Sequence, residues 1–184
     1  MVGAGDGSHA AFLIMVTPEE HAALDQRAAD AIARLGPLSA FRELIAENDA
    51  LIRGPQLDNG RLITVARTAV YSGLMANWAA ERHRVLGYDK PFAVVALGGT
   101  GRQEVTPYSD TDFSFLFDDA IEGNSYLLEL QRELLHTRSF RDRCGFACEV
   151  LPFNPDDALR LSGKQLNAFL DLRPVYDPDG LAAT

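Results

Sequence analysis

The sequence predicts an α/β (α+β) chain in which a helical N-terminal segment precedes a small mixed sheet flanked by helices. Three observations carry this. Apolar residues recur at helical spacing from Thr17 to about Val85; a continuous apolar run, Phe92 to Leu97, stops abruptly at Gly98-Gly99; and Asp110 to Phe117 alternates polar and apolar residues. With 47% apolar and 23% charged residues, the 184-residue chain can form one domain with a genuine core.

Residues 1–16 are expected to be a flexible terminus. Their apolar run, Ala10 to Val16, is too short to span a bilayer and has no basic flank, so neither membrane insertion nor export is indicated. Gly3, Gly5 and Gly7 have no preceding strand and read as a mobile end, not a nucleotide loop. The first helix starts at Thr17-Pro18-Glu19-Glu20, where threonine caps, proline takes the first helical position and Glu20 completes a capping box; Gly36-Pro37 stops it after Leu35. A second helix is predicted from Ser39 to Arg53, carrying Phe41, Leu44, Ile45 and Ile52 and ending at Gly54-Pro55. A third runs from Gly60 to Val85, with Ala66, Val70, Leu74 and Trp78 on one face.

The run Phe92 to Leu97 suits a strand buried on both faces. A short helix should follow the glycines, then a turn at Pro107-Tyr108-Ser109 and a second strand from Thr111 to Phe117. On that strand Asp110, Asp112 and Ser114 share one face, and Thr111, Phe113, Phe115 and Phe117 share the other, so the aromatic side can be buried while the carboxylates stay accessible. A helix from Ser125 to Thr137, a third strand from Gly145 to Leu151 and one or two helices between Pro155 and Leu172 complete the prediction. The expected divisions are 1–16, a helical segment 17–88, a core 89–176, and 177–184 as a tail or the start of a linker.

Charge and residue usage limit the function classes. Seventeen Lys and Arg against 26 Asp and Glu, a formal charge of −9, disfavour long nucleic acid as a partner. Two cysteines, Cys144 and Cys148, do not make a disulfide framework, and their spacing is not that of a redox or zinc-knuckle pair; buried core thiols in a reducing, cytoplasmic setting are expected. Arg132, Arg138, Arg141 and Arg143 read as a solvated basic cluster, and His21, His83 and His136 have no metal-ligand spacing.

The chemistry concentrates between the first two strands. Glycines at a strand end let a backbone approach a triphosphate, and amides at a following helix start can donate to its oxygens. Aspartates at i and i+2 on a strand put two carboxylates on one face, where they repel each other unless a cation intervenes. Magnesium suits that pair, because it takes one or two carboxylates together with substrate phosphates.

The stretch Gly98-Gly99-Thr100-Gly101-Arg102-Gln103-Glu104-Val105-Thr106-Pro107-Tyr108-Ser109-Asp110-Thr111-Asp112 resembles the glycine-pair and Asp-x-Asp signature of the DNA polymerase β superfamily. Within that superfamily it is most similar to the bacterial protein-PII uridylyltransferase branch and related nucleotidyltransferases that accompany regulatory ligand-binding domains. A weaker likeness continues through Leu170 to Val175, so the resemblance spans roughly residues 91 to 176.

The resemblance implies a polymerase β-like fold and transfer of a nucleoside monophosphate from a nucleoside triphosphate to a hydroxyl, releasing pyrophosphate. It implies that Asp110 and Asp112 hold two Mg2+ ions, with a third carboxylate from a neighbouring strand. Glu149 is the best placed candidate, a departure from the usual aspartate, and Asp142 is the alternative. Gly98, Gly99, Arg102 and Ser109 would hold the triphosphate, and Glu104 would brace the loop by pairing with Arg102 or a backbone amide. The implied acceptor is a protein. Two other readings stay open: a degenerate domain acting as a regulatory or interaction module, and transfer to a small molecule such as an aminoglycoside. Relatives usually continue into further C-terminal domains, so a longer native chain is expected.

Overall fold

The computed structural model describes residues 16–54, 60–118, 148–153 and 170–183, with residues 123, 125, 126, 128–130 and 132. Over these residues the chain is mixed α+β and rich in helix. Three helices come first: α1 (Pro18–Leu35), α2 (Pro37–Arg53) and α3 (Gly60–Leu86). Strand β1 (Phe92–Ala96), a single helical turn α4 (Gly98–Gly101), and strands β2 (Thr111–Phe117), β3 (Cys148–Phe153) and β4 (Arg173–Tyr176) follow, ending in a 3-10 turn at Leu181–Ala183.

The expected capping box forms at the start of α1: Glu20 N donates to Thr17 Oγ1 at 3.2 Å and Thr17 N donates to Glu20 Oε2 at 2.8 Å. Gly36, at φ 77°, then turns the chain between α1 and α2. The second helix begins at Pro37, two residues before the predicted Ser39, because proline's fixed φ and missing N–H fit the first helical position.

Helix α3 joins the two halves of the core. Its Val70, Tyr71 and Leu74 pack with Ala28, Ile32, Phe41 and Leu44 of α1 and α2. Further along, Met75, Trp78 and Ala79 pack on the sheet against Phe92, Val94, Phe113 and Phe115. Burial on both sides leaves α3 without one narrow apolar stripe, and Gly73 lets α1 come close: a Cβ there would lie 3.3 Å from Ile32 Cδ1. The predicted division at residue 88 is therefore not a boundary between cores.

The sheet order is β3-β2-β1-β4. Strand β1 pairs antiparallel with both β2 and β4, and β2 pairs parallel with β3, giving a mixed sheet as predicted. The alternation in β2 follows the prediction: Phe113, Phe115 and Phe117 enter the core beneath α3, while Leu116 joins Ala93, Val95 and Leu97 on the opposite face.

Several boundaries differ from the prediction. Strand β3, Cys148–Phe153, continues past the predicted end at Leu151, while the first predicted residues, 145–147, lie outside the described residues. Strand β4 follows directly on the region of the predicted helices, in the motif continuation, where no strand was expected; it is short and contains Pro174, which a sheet tolerates at an edge, and its pairing shifts register beside Val94 and Val95. Arg173 fixes that edge by donating from Nη2 to Ser72 Oγ at 2.6 Å, with Asp25 of α1 4.0 Å away. Burial lowers the Arg173 pKa, and Asp25 opposes that shift.

The expected tail, 177–184, is instead folded through Ala183. Asp177 accepts from Leu181 N at 2.8 Å and from Ala182 N at 3.0 Å, and Leu181 and Ala182 cover Ala93, Val95 and Leu97. Helical backbone occurs at described positions from 123, two residues before the predicted start at Ser125, to 132; the rest of that helix and all of the predicted 155–172 helices before residue 170 lie outside the described residues. No helix among the described residues is long and apolar enough to cross a membrane.

Trp78 is 7% exposed and meets Phe115 edge-on at 6.2 Å between ring centres. Trp78→Ala should therefore lower unfolding free energy by about 3–5 kcal/mol in urea titrations. A change below about 1 kcal/mol would mean that α3 does not carry the sheet.

Candidate functional site

The site is built on the connection from β1 to β2. Leu97 N donates to Asp112 O at 3.0 Å, so Gly98 leaves the sheet directly beside Asp112. Gly98 adopts φ 50°, a left-handed conformation that favours glycine, and a Cβ there would stand 3.9 Å from Asp112 Oδ2. The turn α4 closes through Gly101 N to Leu97 O at 2.9 Å and Arg102 N to Gly98 O at 2.9 Å. The amides of Gly98, Gly99 and Thr100 lie in its first turn and have no intrahelical acceptor.

Two layers hold this connection. From the helical side, Val105 is buried with Val70 and Leu74, and its N donates to Thr68 Oγ1 at 3.3 Å. Arg61, in the first turn of α3, donates to Arg102 O at 2.8 Å and Gln103 O at 3.3 Å, and lies 3.9 Å from Glu104. On the other side, Gly101 meets the segment entering β4: a Cβ there would stand 1.9 Å from Asp171 O. Inside the connection, Thr100 Oγ1 accepts from Asp112 N at 3.0 Å, which ties the glycine turn to the start of β2.

Asp110 is exposed one residue before β2, and Asp112 is half-buried within it. Across the parallel pair, Asp112 stands in register with Glu149, and Thr111 with Cys148. Register partners occupy the same sheet face, so positions 112 and 149 are neighbours at the end of the sheet where Gly98 turns away. The side chain of Glu149 lies outside the described residues, as do Asp142, Cys144, His136, Arg138, Arg141 and Arg143. Among the described residues, no group of three or more His, Cys, Asp or Glu side chains clusters as a metal site.

Arg102 makes ion pairs with Glu104 and Asp171: Nε donates to Glu104 Oε2 at 2.8 Å and Nη1 to Asp171 Oδ2 at 2.7 Å. The hydrogen bond that Arg102 donates to Asp171, then the one it donates to Glu104, raises the Arg102 pKa above its ordinary value. The bracing of the loop expected of Glu104 is thus present. Ser109 closes the predicted turn, its Oγ accepting from Thr106 N at 3.1 Å and its own N donating to Thr106 O at 3.2 Å. Tyr108 stands at the tip of that turn, 99% exposed.

Sequence reasoning missed Arg61 and Thr68, and gave no role to Gly101 or Asp171 although both lie in the stretches that carry the resemblance. Gly101 carried a signal, since a third glycine in four residues exceeds what a turn needs; the others act across 37 to 69 residues of chain, where no local pattern reports them. His83, expected to have no metal role, bridges Tyr88 O at 2.6 Å and the Tyr176 hydroxyl at 3.0 Å on the side of the sheet facing α3. Arg132 is exposed, as a solvated basic residue should be. Open grooves in the helical layer lie between α1 and α2, lined by Arg27, Asp30, Arg34 and Glu43, and apart from the glycine turn.

No family model matches the sequence, and no curated protein matches it significantly.

Gly101→Ala should destabilise the fold by about 3 kcal/mol in urea titrations, because the Asp171 carbonyl is backbone and has little room to yield. Gly60→Ala is the control: nothing lies within 4 Å of a Cβ there, and its stability should be unchanged or slightly raised. Equal effects at both positions would show that the Gly101 contact carries no constraint.

Proposed function

We propose that this chain is a magnesium-dependent nucleotidyltransferase of the polymerase β-like fold, moving a nucleoside monophosphate from a nucleoside triphosphate to a hydroxyl on a protein. The observation that carries the reading is the juxtaposition of Asp112 with the Gly98 turn on one side and with the register position of Glu149 on the other. Asp110 directly precedes this pair, and the antiparallel β1–β2 unit with an added parallel strand agrees with the architecture the motif implies.

The residues suit the ligands. Asp112 and Glu149 are hard oxygen donors at register positions on neighbouring strands, and Asp110 adds a third just before β2, a donor set that fits Mg2+. Magnesium held there would supply neutralisation of the triphosphate and activation of the attacking hydroxyl. The protein's own part is to hold and orient. Glycines at 98 and 99 keep side chains away from a phosphate chain, the first-turn amides of α4 donate to its oxygens, and Arg102 adds a fixed donor. Ser109 contributes by holding the Thr106–Ser109 turn closed, which fixes where Asp110 leaves it. A protein acceptor follows from the family likeness together with the net charge of −9, which disfavours a long polyanion.

Calorimetric titration of each of the four nucleoside triphosphates, with and without magnesium, tests the reading on the wild type and on Asp110→Asn/Asp112→Asn. Magnesium-dependent binding of a nucleotide by the wild type, weakened at least about a hundredfold in the double variant with its melting temperature retained, is the expected result. Identical binding by the double variant would remove the site assignment. No binding by either protein would favour a degenerate regulatory module, and transfer from a bound nucleotide to an aminoglycoside-type hydroxyl but to no protein would move the acceptor to the small-molecule class.

A further inference from the structure

Arg102 stands at the end of α4 with two corners of its guanidinium occupied, Nε by Glu104 and Nη1 by Asp171. A planar group held at two corners keeps one orientation. Its third corner, Nη2, faces the glycine turn: a Cβ on Gly99 would stand 4.0 Å from it. Stability gives little reason for the arrangement, because the three side chains are 46%, 47% and 35% exposed, and ion pairs that open to water contribute little. What such a frame does provide is preorganisation. A free arginine loses rotamer freedom when it captures a ligand, whereas one already held in place does not.

Asp171 is itself held firmly. It lies 69 residues from Arg102 in sequence, yet its carbonyl oxygen is in close contact with Gly101, the residue before Arg102. Backbone contact and side-chain bond therefore join the same two segments, and a shift of the chain entering β4 would be passed directly to the guanidinium.

We propose that Asp171 is a positioning residue that, together with Glu104, aims Arg102 Nη2 across Gly99 at an oxygen of a phosphate chain seated on the glycine turn. The proposal rests on the nucleotidyltransferase reading only in taking a triphosphate as the ligand. Two carboxylates offset the charge of Arg102 locally, so its contribution is a directed hydrogen bond more than bulk attraction.

The test uses inorganic tripolyphosphate with magnesium, titrated calorimetrically into the full chain and into Asp171→Asn, Arg102→Ala and their combination. Asparagine keeps the shape of the side chain and the backbone carbonyl. Expected are binding about five- to tenfold weaker for Asp171→Asn at an unchanged melting temperature, a loss at least as large for Arg102→Ala, and no further loss in the combination. Losses that multiply in the combination would show that Asp171 acts by a route other than Arg102. Unchanged or tighter binding by Asp171→Asn would make Asp171 a surface ion pair or a competitor of phosphate, and would overturn the proposal while leaving the proposed function standing. A wild type that does not bind tripolyphosphate, or binds it equally after Asp110→Asn/Asp112→Asn, would overturn both.

Discussion

The connection between β1 and β2 has to satisfy two opposed demands: it must return the chain to an antiparallel partner, and it must leave a backbone surface open beside two aspartates. Its fixed points are Val105, buried in the helical core, and Gly101, in contact with the Asp171 carbonyl. One helical turn, Gly98–Gly101, leads up to the glycine contact and one hydrogen-bonded turn, Thr106–Ser109, follows Val105, while Thr100 accepts from the N–H of Asp112, the second residue of β2. These anchors add to the direct bonds from Leu97 N to Asp112 O and from Asp112 N to Thr100 Oγ1, which set the spacing between the glycine turn and Asp112. The helical layer is thus part of the site's support, since Arg61 and Thr68 of α3 both bond to the connection.

The helical and sheet layers depend on each other for the same reason. A four-stranded sheet whose central strand is wholly buried needs cover on both faces. Helix α3 covers one face through Met75 and Trp78, and the returning residues Leu181 and Ala182 contribute to the other. The aromatic side of β2 is consumed by the first face, which leaves position 112 on the opposite face, beside the Gly98 turn.

Much of this was legible in the sequence wherever short-range physics decides it. The Thr17 capping box, the alternation of β2, the buried run of β1 and the glycine break each depend on residues within a few positions of one another. The edge strand β4 was not legible, because four residues including Pro174 lack any strand periodicity and owe their pairing to β1. Residues 177–183 look like a polar tail until Asp177 is seen capping the turn that brings Leu181 onto the sheet. For the site, Asp110, Asp112 and the glycine pair could be read from their pattern, whereas Arg61 and Asp171 come from distant segments and only the fold brings them to the loop.

The central claim is that a divalent cation and a triphosphate meet at Asp110 and Asp112. Replacing magnesium with trace manganese and recording backbone amide NMR spectra in the presence of a non-hydrolysable nucleoside triphosphate locates the cation directly through paramagnetic broadening. The account predicts broadening at Gly98 to Thr100, at Asp110 to Asp112 and around Glu149. Broadening confined to the groove of Asp30 and Glu43 between α1 and α2, with the glycine turn unaffected, would contradict it.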